Sequence, residues 1–195
     1  MVHDTTAHVR QTEDEQILDA ALVRAAQADS AAFAPLYQRY RDRIYRYLRT
    51  RTSSDEDAAD LTQQVFLQAL GALPRYRIQQ TPFAAWLTRI AHNLAVNDRQ
   101  RRKTTVPWDY LPEALQPLAD GDLDDQVLRD EALAQLGAAL QTLKASAREV
   151  LALRFAAGLT VAETAAVVGR SEAAVKKQLT RTLHALKERY HDTAQ

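Results

Sequence analysis

Residues 146–189, SAREVLALRFAAGLTVAETAAVVGRSEAAVKKQLTRTLHALKER, decide the fold. They read as three helices separated by clear stops. Ser146 and Glu149 have the S-x-x-E spacing of a capping box, in which a hydroxyl and a carboxylate satisfy each other's free backbone N–H groups. The helix they begin is expected to stop at Gly158, a residue suited to the left-handed position after a helix end. Thr160 and Glu163 repeat the capping box. Gly169 ends the second helix after roughly two turns, and Ser171 caps a third that meets no breaker before about Arg189. A short helix, a Gly-containing turn and a longer helix form a helix-turn-helix unit.

The third helix has two faces. Val175, Leu179, Thr182, Leu183 and Leu186 fall on the apolar side. Ala173, Lys176, Lys177, Thr180, Arg181 and His184 fall on the other. Small residues near its start permit close approach to a major groove, cations suit phosphates, and amide or hydroxyl groups suit base edges. A solvated face of an ordinary bundle has the same pattern, so the motif gains weight only from the rest of the chain.

The 195 residues are 46% hydrophobic and 26% charged, with 5 Gly and 6 Pro, which favours an all-α chain. The absence of Cys excludes disulfides, thiolate-ligated zinc and thiol catalysis, and fits a reducing cytoplasm. No apolar run reaches the ~20 residues of a membrane span, and the N-terminus has no signal-peptide core. Membrane insertion is not expected, and neither a metal nor another cofactor is.

Net charge is zero, but the charges are segregated. Residues 75–103 carry seven cations and one acid, a net +6; residues 109–131 carry eight acids and one cation, a net −7; residues 144–189 carry nine cations and four acids, a net +5. Two basic blocks flank an acidic connector, as suits a protein that meets nucleic acid at two places.

In chain order, residues 1–12 read as a disordered tail, and Glu13 to Gln27 as a helix with an apolar stripe of Ile17, Leu18, Ala21, Leu22 and Ala25. Residues 31–50 are strongly periodic: Phe33, Leu36, Tyr37, Tyr40, Ile44, Tyr47 and Leu48 recur at helical spacing. Because these aromatics share a face with Leu and Ile, they are expected in the core rather than as a base-stacking platform. Ser53-Ser54-Asp55-Glu56-Asp57 starts the next helix, which runs to about Leu70 and carries Asp57, Asp60, Gln63 and Gln64 on its polar face. A polar loop, RYRIQQT, follows at 75–81. Pro82 opens a further helix that buries Phe83, Trp86, Leu87, Ile90 and Leu94 and ends in a basic cluster at Arg99, Arg101, Arg102 and Lys103. Arg89, Asn93 and Asn97 run along one flank; Asn is a mediocre helix former, so an external hydrogen-bonding partner is expected there. Residues 104–128, broken by Pro107, Pro112, Pro117 and Gly121, read as a linker, and a helix from about Arg129 to Leu143 leads back to the opening motif.

No constellation for catalysis is present. The five histidines are scattered, and there is no phosphate-cradling Gly loop, HExxH or nucleophile-base pairing. An enzyme is not expected.

Four blocks in order resemble one family. DEQILDAALVRAAQADSAAFAPLYQRYRDRIYRYL is similar to the opening of the extracytoplasmic-function (ECF) sigma factors, the compact group 4 class of the sigma-70 family of bacterial transcription initiation factors. SDEDAADLTQQVFLQAL resembles their region 2.2, PFAAWLTRIAHNLAVNDRQRRK their regions 2.3 to 2.4, and the C-terminal helices their region 4.

The resemblance implies two helical domains joined by a flexible acidic linker: region 2 at 13–103, the linker at 104–128, and region 4 at 129–191. It implies a cytoplasmic transcription initiation factor that gives core RNA polymerase its promoter specificity. Asp57, Asp60, Gln63 and Gln64 match the surface that binds the polymerase clamp. Tyr76, Arg77, Gln79 and Gln80 match the loop that receives a flipped base of the −10 element. Arg89, Asn93, Asn97, Arg101, Arg102 and Lys103 match the helix that meets −10 DNA. Ser171, Lys176, Lys177, Gln178, Thr180 and Arg181 match the surface that reads the −35 element, on a domain that also touches the polymerase flap. Trp86 matches a family tryptophan read as a core anchor. The implied partners are core polymerase, promoter DNA and an anti-sigma factor.

Three positions depart from the pattern. Ala59 and Gln64 replace acids common in the clamp-facing patch, and Gln178 stands where arginine is frequent. Thr62 lies one turn from Ala59, where a phosphate adding about −1.5 to −2 charge would restore the patch; Thr62 is therefore a candidate phosphosite and a Ser/Thr kinase a candidate partner. The absence of a long C-terminal extension argues against a fused regulatory domain. The competing readings are a dimeric helix-turn-helix regulator with an effector-binding N-terminal domain, and an all-α adaptor that binds only proteins.

Overall fold

The computed structural model describes the backbone of residues 3–78, 80–102 and 135–193. The expected linker at 104–128 and the start of the helix expected at Arg129 lie outside the described residues, as do Gln79 and Lys103.

The helices follow the sequence signals closely, with instructive exceptions. Helix α1 spans His3–Ala28 and therefore begins inside the stretch expected as a tail. Residues 3–12 contain neither Gly nor Pro, and an already formed helix extends at little cost once nucleated. Its inward face is also shifted from the expected stripe. Val23 and Ala26 are buried while Ile17 is 69% exposed. The polar Asp19 turns inward instead, accepting a hydrogen bond from Tyr40 Oη and pairing with Arg39 Nε at 3.0 Å.

A 3-10 turn, Ser30–Phe33, capped by Asp29, leads into α2, Ala34–Arg49, with Pro35 in its first turn. The α2 stripe is core, as its Leu/Ile company implies: Leu36, Tyr40, Ile44, Tyr47 and Leu48 are all nearly inaccessible. Helix α3, Asp55–Ala72, starts where Ser54 Oγ accepts from Asp57 N at 3.1 Å. It runs through Gly71 and ends in a 3-10 turn, Leu73–Arg75. Helix α4, Phe83–Arg102, follows Pro82. These helices interlock through aromatic edges, Tyr37 on Phe66 at 4.8 Å and Tyr40 on Phe83 at 5.3 Å. Each fully buried side chain of this size contributes about 1.5–3 kcal/mol of transfer free energy.

In the second half, residues 135–141 are helical. Helix α5, Ala145–Leu151, continues into a π-helical turn, Ala152–Ala156, and stops where Gly158 takes φ +63. Helix α6, Val161–Val168, has the full Thr160–Glu163 capping box and ends at left-handed Gly169. Helix α7 spans Glu172–Thr193, with Ser171 Oγ accepting from Ala174 N at 3.3 Å. The other expected capping box does not form. The N-cap of α5 is Lys144, Ser146 Oγ accepts from Gln178 instead, and the Glu149 carboxylate points away to Tyr47, Arg51 and His92. A tertiary cluster has outcompeted a local cap.

The two halves share one hydrophobic core. Leu140, Leu151, Leu153, Leu159 and Val167 belong to the same buried cluster as Ile44, Tyr47, Leu87 and Ala91. A smaller satellite of Val150, Ala165 and Val175 holds α5, α6 and α7 together. Leu183, expected on the apolar side of α7, is 42% exposed, while Val175 and Thr182 are buried. Among the described residues no strand forms, and no helix is long and apolar enough to cross a membrane.

Candidate nucleic-acid interface

Three surfaces carry the residues singled out by sequence. The first is the outer face of α3. Asp60, Gln63 and Gln64 are exposed, while Asp57 is half-buried. Leu67, 71% exposed, continues the same strip one turn further on. Sequence reading missed it, although a Leu at i+3 and i+4 from two polar positions is the mark of a mixed docking face. Thr62 does not belong to this surface. It is buried and its Oγ1 donates to Ala58 O at 2.7 Å, so a kinase would have to unwind α3 to reach it. The candidate phosphosite, and with it the kinase, is corrected on that ground.

The second surface surrounds the loop after α3. Tyr76 was expected to touch DNA, but its ring is buried against Phe83 and Trp86 and its Oη donates to Thr81 O at 2.5 Å. Burial pushes its phenol up to about 12, so it stays a neutral donor that ties the loop into a closed ring. The loop is held from the other side by Gln27, whose Nε2 donates to Leu73 O and Tyr76 O, both at 2.9 Å. Gln27 was missed because a lone Gln near a helix end looks like solvated surface. Between the loop and α1 opens a cavity of about 500 Å³, bounded by Gln16, Asp19, Val23, Ile78 and Gln80. Its walls are partly apolar, with amide and carboxyl groups at the rim. Burial also raises Asp19 above the ordinary carboxylate range, against the lowering effect of Tyr40 and Arg39. Arg77 and Gln80 are exposed beside the opening.

On α4, Asn93, Asn97 and Arg101 are exposed, as the flank pattern predicts, and Trp86 is half-buried against the core. The side chain of Arg102 is not described. Arg89 is engaged: its Nη2 donates to Ala166 O of α6.

The third surface is the outer side of α7 and the groove beside it. Ser171, Lys176, Lys177, Thr180 and Arg181 are exposed. Gln178 is half-buried and bridges inward, donating to Ser146 Oγ at 3.3 Å and accepting from Arg170. It braces α7 against α5 at the wall of the groove beside them. Lys144, Arg170, Lys177 and Arg181 line an open groove between the two helices. Cations around a groove with small residues at its floor suit a phosphate backbone.

A helical protein with a cationic helix-turn-helix at one end, and an asparagine-lined basic helix beside a loop cavity at the other, belongs among DNA-binding transcription proteins. Two family models match it, Sigma-70 region 2 over residues 36–105 and Sigma-70, region 4 over residues 133–186. The chain is 36% identical over 176 residues to the ECF RNA polymerase sigma factor BldN of Streptomyces coelicolor, covering 89% of this chain and 66% of that relative. It is 34% identical over 177 residues to SigD of Mycobacterium tuberculosis, covering 88% and 82%. It is 33% identical over 186 residues to ShbA of Streptomyces griseus, covering 90% and 96%. Among solved structures it resembles CnrH in complex with the cytosolic domain of CnrY, with a TM-score of 0.63, 27% identity and coverage of 87% and 95%. It shares its fold with RpoE in complex with the anti-sigma factor NepR from Bartonella quintana, with a TM-score of 0.59, 21% identity and coverage of 82% and 96%. The chain belongs to the ECF sigma factors of the sigma-70 family, and it is an RNA polymerase sigma factor rather than a dimeric regulator.

Proposed function

We propose that the three surfaces divide promoter recognition among them. The exposed α3 strip of Asp60, Gln63, Gln64 and Leu67, with half-buried Asp57 at its start, docks on the polymerase clamp. The cavity under the loop after Tyr76 takes a base flipped from the −10 element; extruding a base costs a few kcal/mol, repaid by pocket contacts. Asn93, Asn97 and Arg101 hold the non-template strand beside it. Lys176, Lys177, Thr180 and Arg181 read the −35 element in the major groove. Residues 13–103 and 129–191 are the proposed region 2 and region 4 units, and 104–128 the proposed acidic linker between them. The relatives CnrH and RpoE were solved with protein partners, NepR being an anti-sigma factor; by similarity, an anti-sigma factor is the proposed regulator of this chain.

The observation that carries this reading is the cavity, which opens where the loop meets the start of α4, the helix whose later turns carry the exposed asparagines. A plain −35 binder has no use for it. The test is to mix the purified chain with core polymerase and a promoter, then map unpaired thymines by permanganate. Co-purification with polymerase and reactive thymines confined to the −10 region are the expected result. A chain that shifts duplex DNA alone, yet neither joins polymerase nor opens DNA, would contradict it.

A further inference from the structure

The apolar stripe expected on α1 largely faces solvent. Ile17, Leu18, Ala21 and Ala25 are all exposed. Single exposed aliphatic side chains are common on folded proteins, but Ile17 occupies a particular place. With Gln16 and Ala20 it forms part of the wall of the cavity of about 500 Å³ beneath the loop. At 69% exposure, it stands where the mouth of that cavity meets solvent.

The core explains why α1 is turned this way. Val23 and Ala26 are buried, and Asp19 is drawn inward by Tyr40 and Arg39. Gln16, Ala20 and Val23 then share the face that looks across the cavity, at the i, i+4, i+7 spacing of one helix side. Ile17 lies one position outward from that face. Tyr76, Ile78, Gln80 and Phe83 form the opposite wall. Gln27 ties the two walls together, because its Nε2 bonds to Leu73 O and Tyr76 O, both at 2.9 Å. Helix α1 is therefore a fixed half of the cavity.

Charge is sorted along the outer edge of α1. Asp14 is exposed one turn before Ile17. Arg24 is exposed on the same edge after it, since seven residues make just under two turns and ~10 Å of axial rise. Between Ile17 and Arg24 this edge carries only Ala20 and Ala21, small enough for a backbone to lie close. Arg75 and Arg77 are exposed on the segment that Gln27 holds against α1. The strip thus runs from an acid, through an apolar side chain at the cavity mouth, to a group of cations. A polyanion resting on it is repelled at the Asp14 end and attracted at the Arg24 end.

We infer that α1 supplies a second contact for the melted −10 strand, in which Ile17 stacks on the base beside the flipped one and Arg24 pairs with a phosphate further along. The contact rests on the promoter-opening function proposed above and adds to it an element that the function did not use. When one base leaves the stack for the cavity, its neighbour loses a stacking face. Aliphatic side chains wedge against base steps where proteins unstack DNA. Isoleucine suits this task because its β-branched side chain keeps essentially one χ1 rotamer in a helix, so little freedom is lost when a base covers it. The polymerase clamp is a poorer occupant. The strip proposed to dock on it, on α3, offers Asp57 and Asp60 beside Leu67, whereas the α1 strip offers arginine beside Ile17. One polymerase surface does not complement both.

The test uses the full chain assembled with core polymerase and a fluorescent single-stranded −10 oligonucleotide. Ile17→Ala is expected to weaken oligonucleotide binding about fivefold, and Ile17→Leu to restore most of it. Arg24→Gln should also weaken binding and reduce the slope of log affinity against log salt by about 0.7, the share of one phosphate contact on a single strand. Leu18→Ala, on the neighbouring face of α1, should bind as the wild type does. These positions are exposed, so melting temperatures, co-purification with polymerase and binding to a −35 duplex should all be unchanged. Wild-type oligonucleotide affinity in both Ile17→Ala and Arg24→Gln overturns the inference. Loss of polymerase co-purification in Ile17→Ala, with oligonucleotide affinity of the assembled complex unchanged, also overturns it and makes Ile17 a polymerase contact. A wild-type complex that binds no oligonucleotide overturns the promoter-opening function together with this contact, whereas a wild type that binds while both variants match it overturns the α1 contact alone.

Discussion

At the scale of single residues, exposure separates groups that meet partners from groups that shape the site. Arg181 and Lys177 stand on the groove beside α7. Arg181→Ala is expected to cost about 1–3 kcal/mol at preferred −35 sequences and to relax base preference at one position; a uniform loss across sequences in competition binding makes it a phosphate contact instead. Gln27 acts through other atoms: its two hydrogen bonds fix the carbonyls of Leu73 and Tyr76. Gln27→Ala should cost about 1–2 kcal/mol of stability and also flatten base preference at the flipped −10 position. A purely structural role lowers the melting temperature and leaves that preference intact. Glu149 offers a pH test. Burial pushes its carboxyl up, but hydrogen bonding to His92 and the charge and hydrogen bond of Arg51 outweigh this and bring it from 4.5 to about 2. Arg99 and Arg148 add positive charge at the same edge. A depressed carboxyl stabilises the closed fold fully above about pH 4.5, and the contribution disappears as pH falls through about 2. The stability gap between wild type and Glu149→Gln, about 2 kcal/mol at neutral pH, should therefore close across that window in denaturant titrations. A gap that is constant with pH contradicts the cluster. Arg181 and Lys177 were legible in the sequence, whereas Gln27 and the cluster around Glu149 were not, because they owe their roles to residues far away in sequence.

At the scale of elements, the sequence is a reliable guide wherever the signal is local. The Thr160–Glu163 box, Gly169 and Ser54 all act as their spacing predicts. Thr160→Ala is expected to cost about 1 kcal/mol, seen as a lower denaturant midpoint with an unchanged slope; no change means that the capping box is redundant with packing. Readings fail where a tertiary partner competes. The Ser146–Glu149 box is absent because Glu149 has better partners across the junction, and the inward face of α1 follows Asp19 and its Tyr40 bond rather than Ile17. Tyr76 and Gln178, placed on DNA by their position in a motif, also have packing roles: Tyr76 holds the loop while lining the cavity, and Gln178 braces α7 while lining the groove, information that resides only in the packing.

At the scale of the whole molecule, the all-α class, the helix-turn-helix and the family were legible, since periodic faces and four blocks in order repeat the same message. The two helical domains that the sequence pointed to are present as regions 2 and 4, and their described residues also share a core and cap each other's helices. Nothing in composition announces such a junction, because its polar members, Arg43, Arg51 and His92, look like the solvated side of amphipathic helices. We propose that one chain lends polymerase two separate DNA-reading surfaces that act on the same promoter. Run-off transcription with core polymerase on a promoter library randomised at −10, at −35 and in spacer length tests this most directly. The account predicts initiation that requires both elements, with a narrow optimum of spacer length near one fixed separation. Initiation that depends on only one element, or that is indifferent to the spacer, would contradict it.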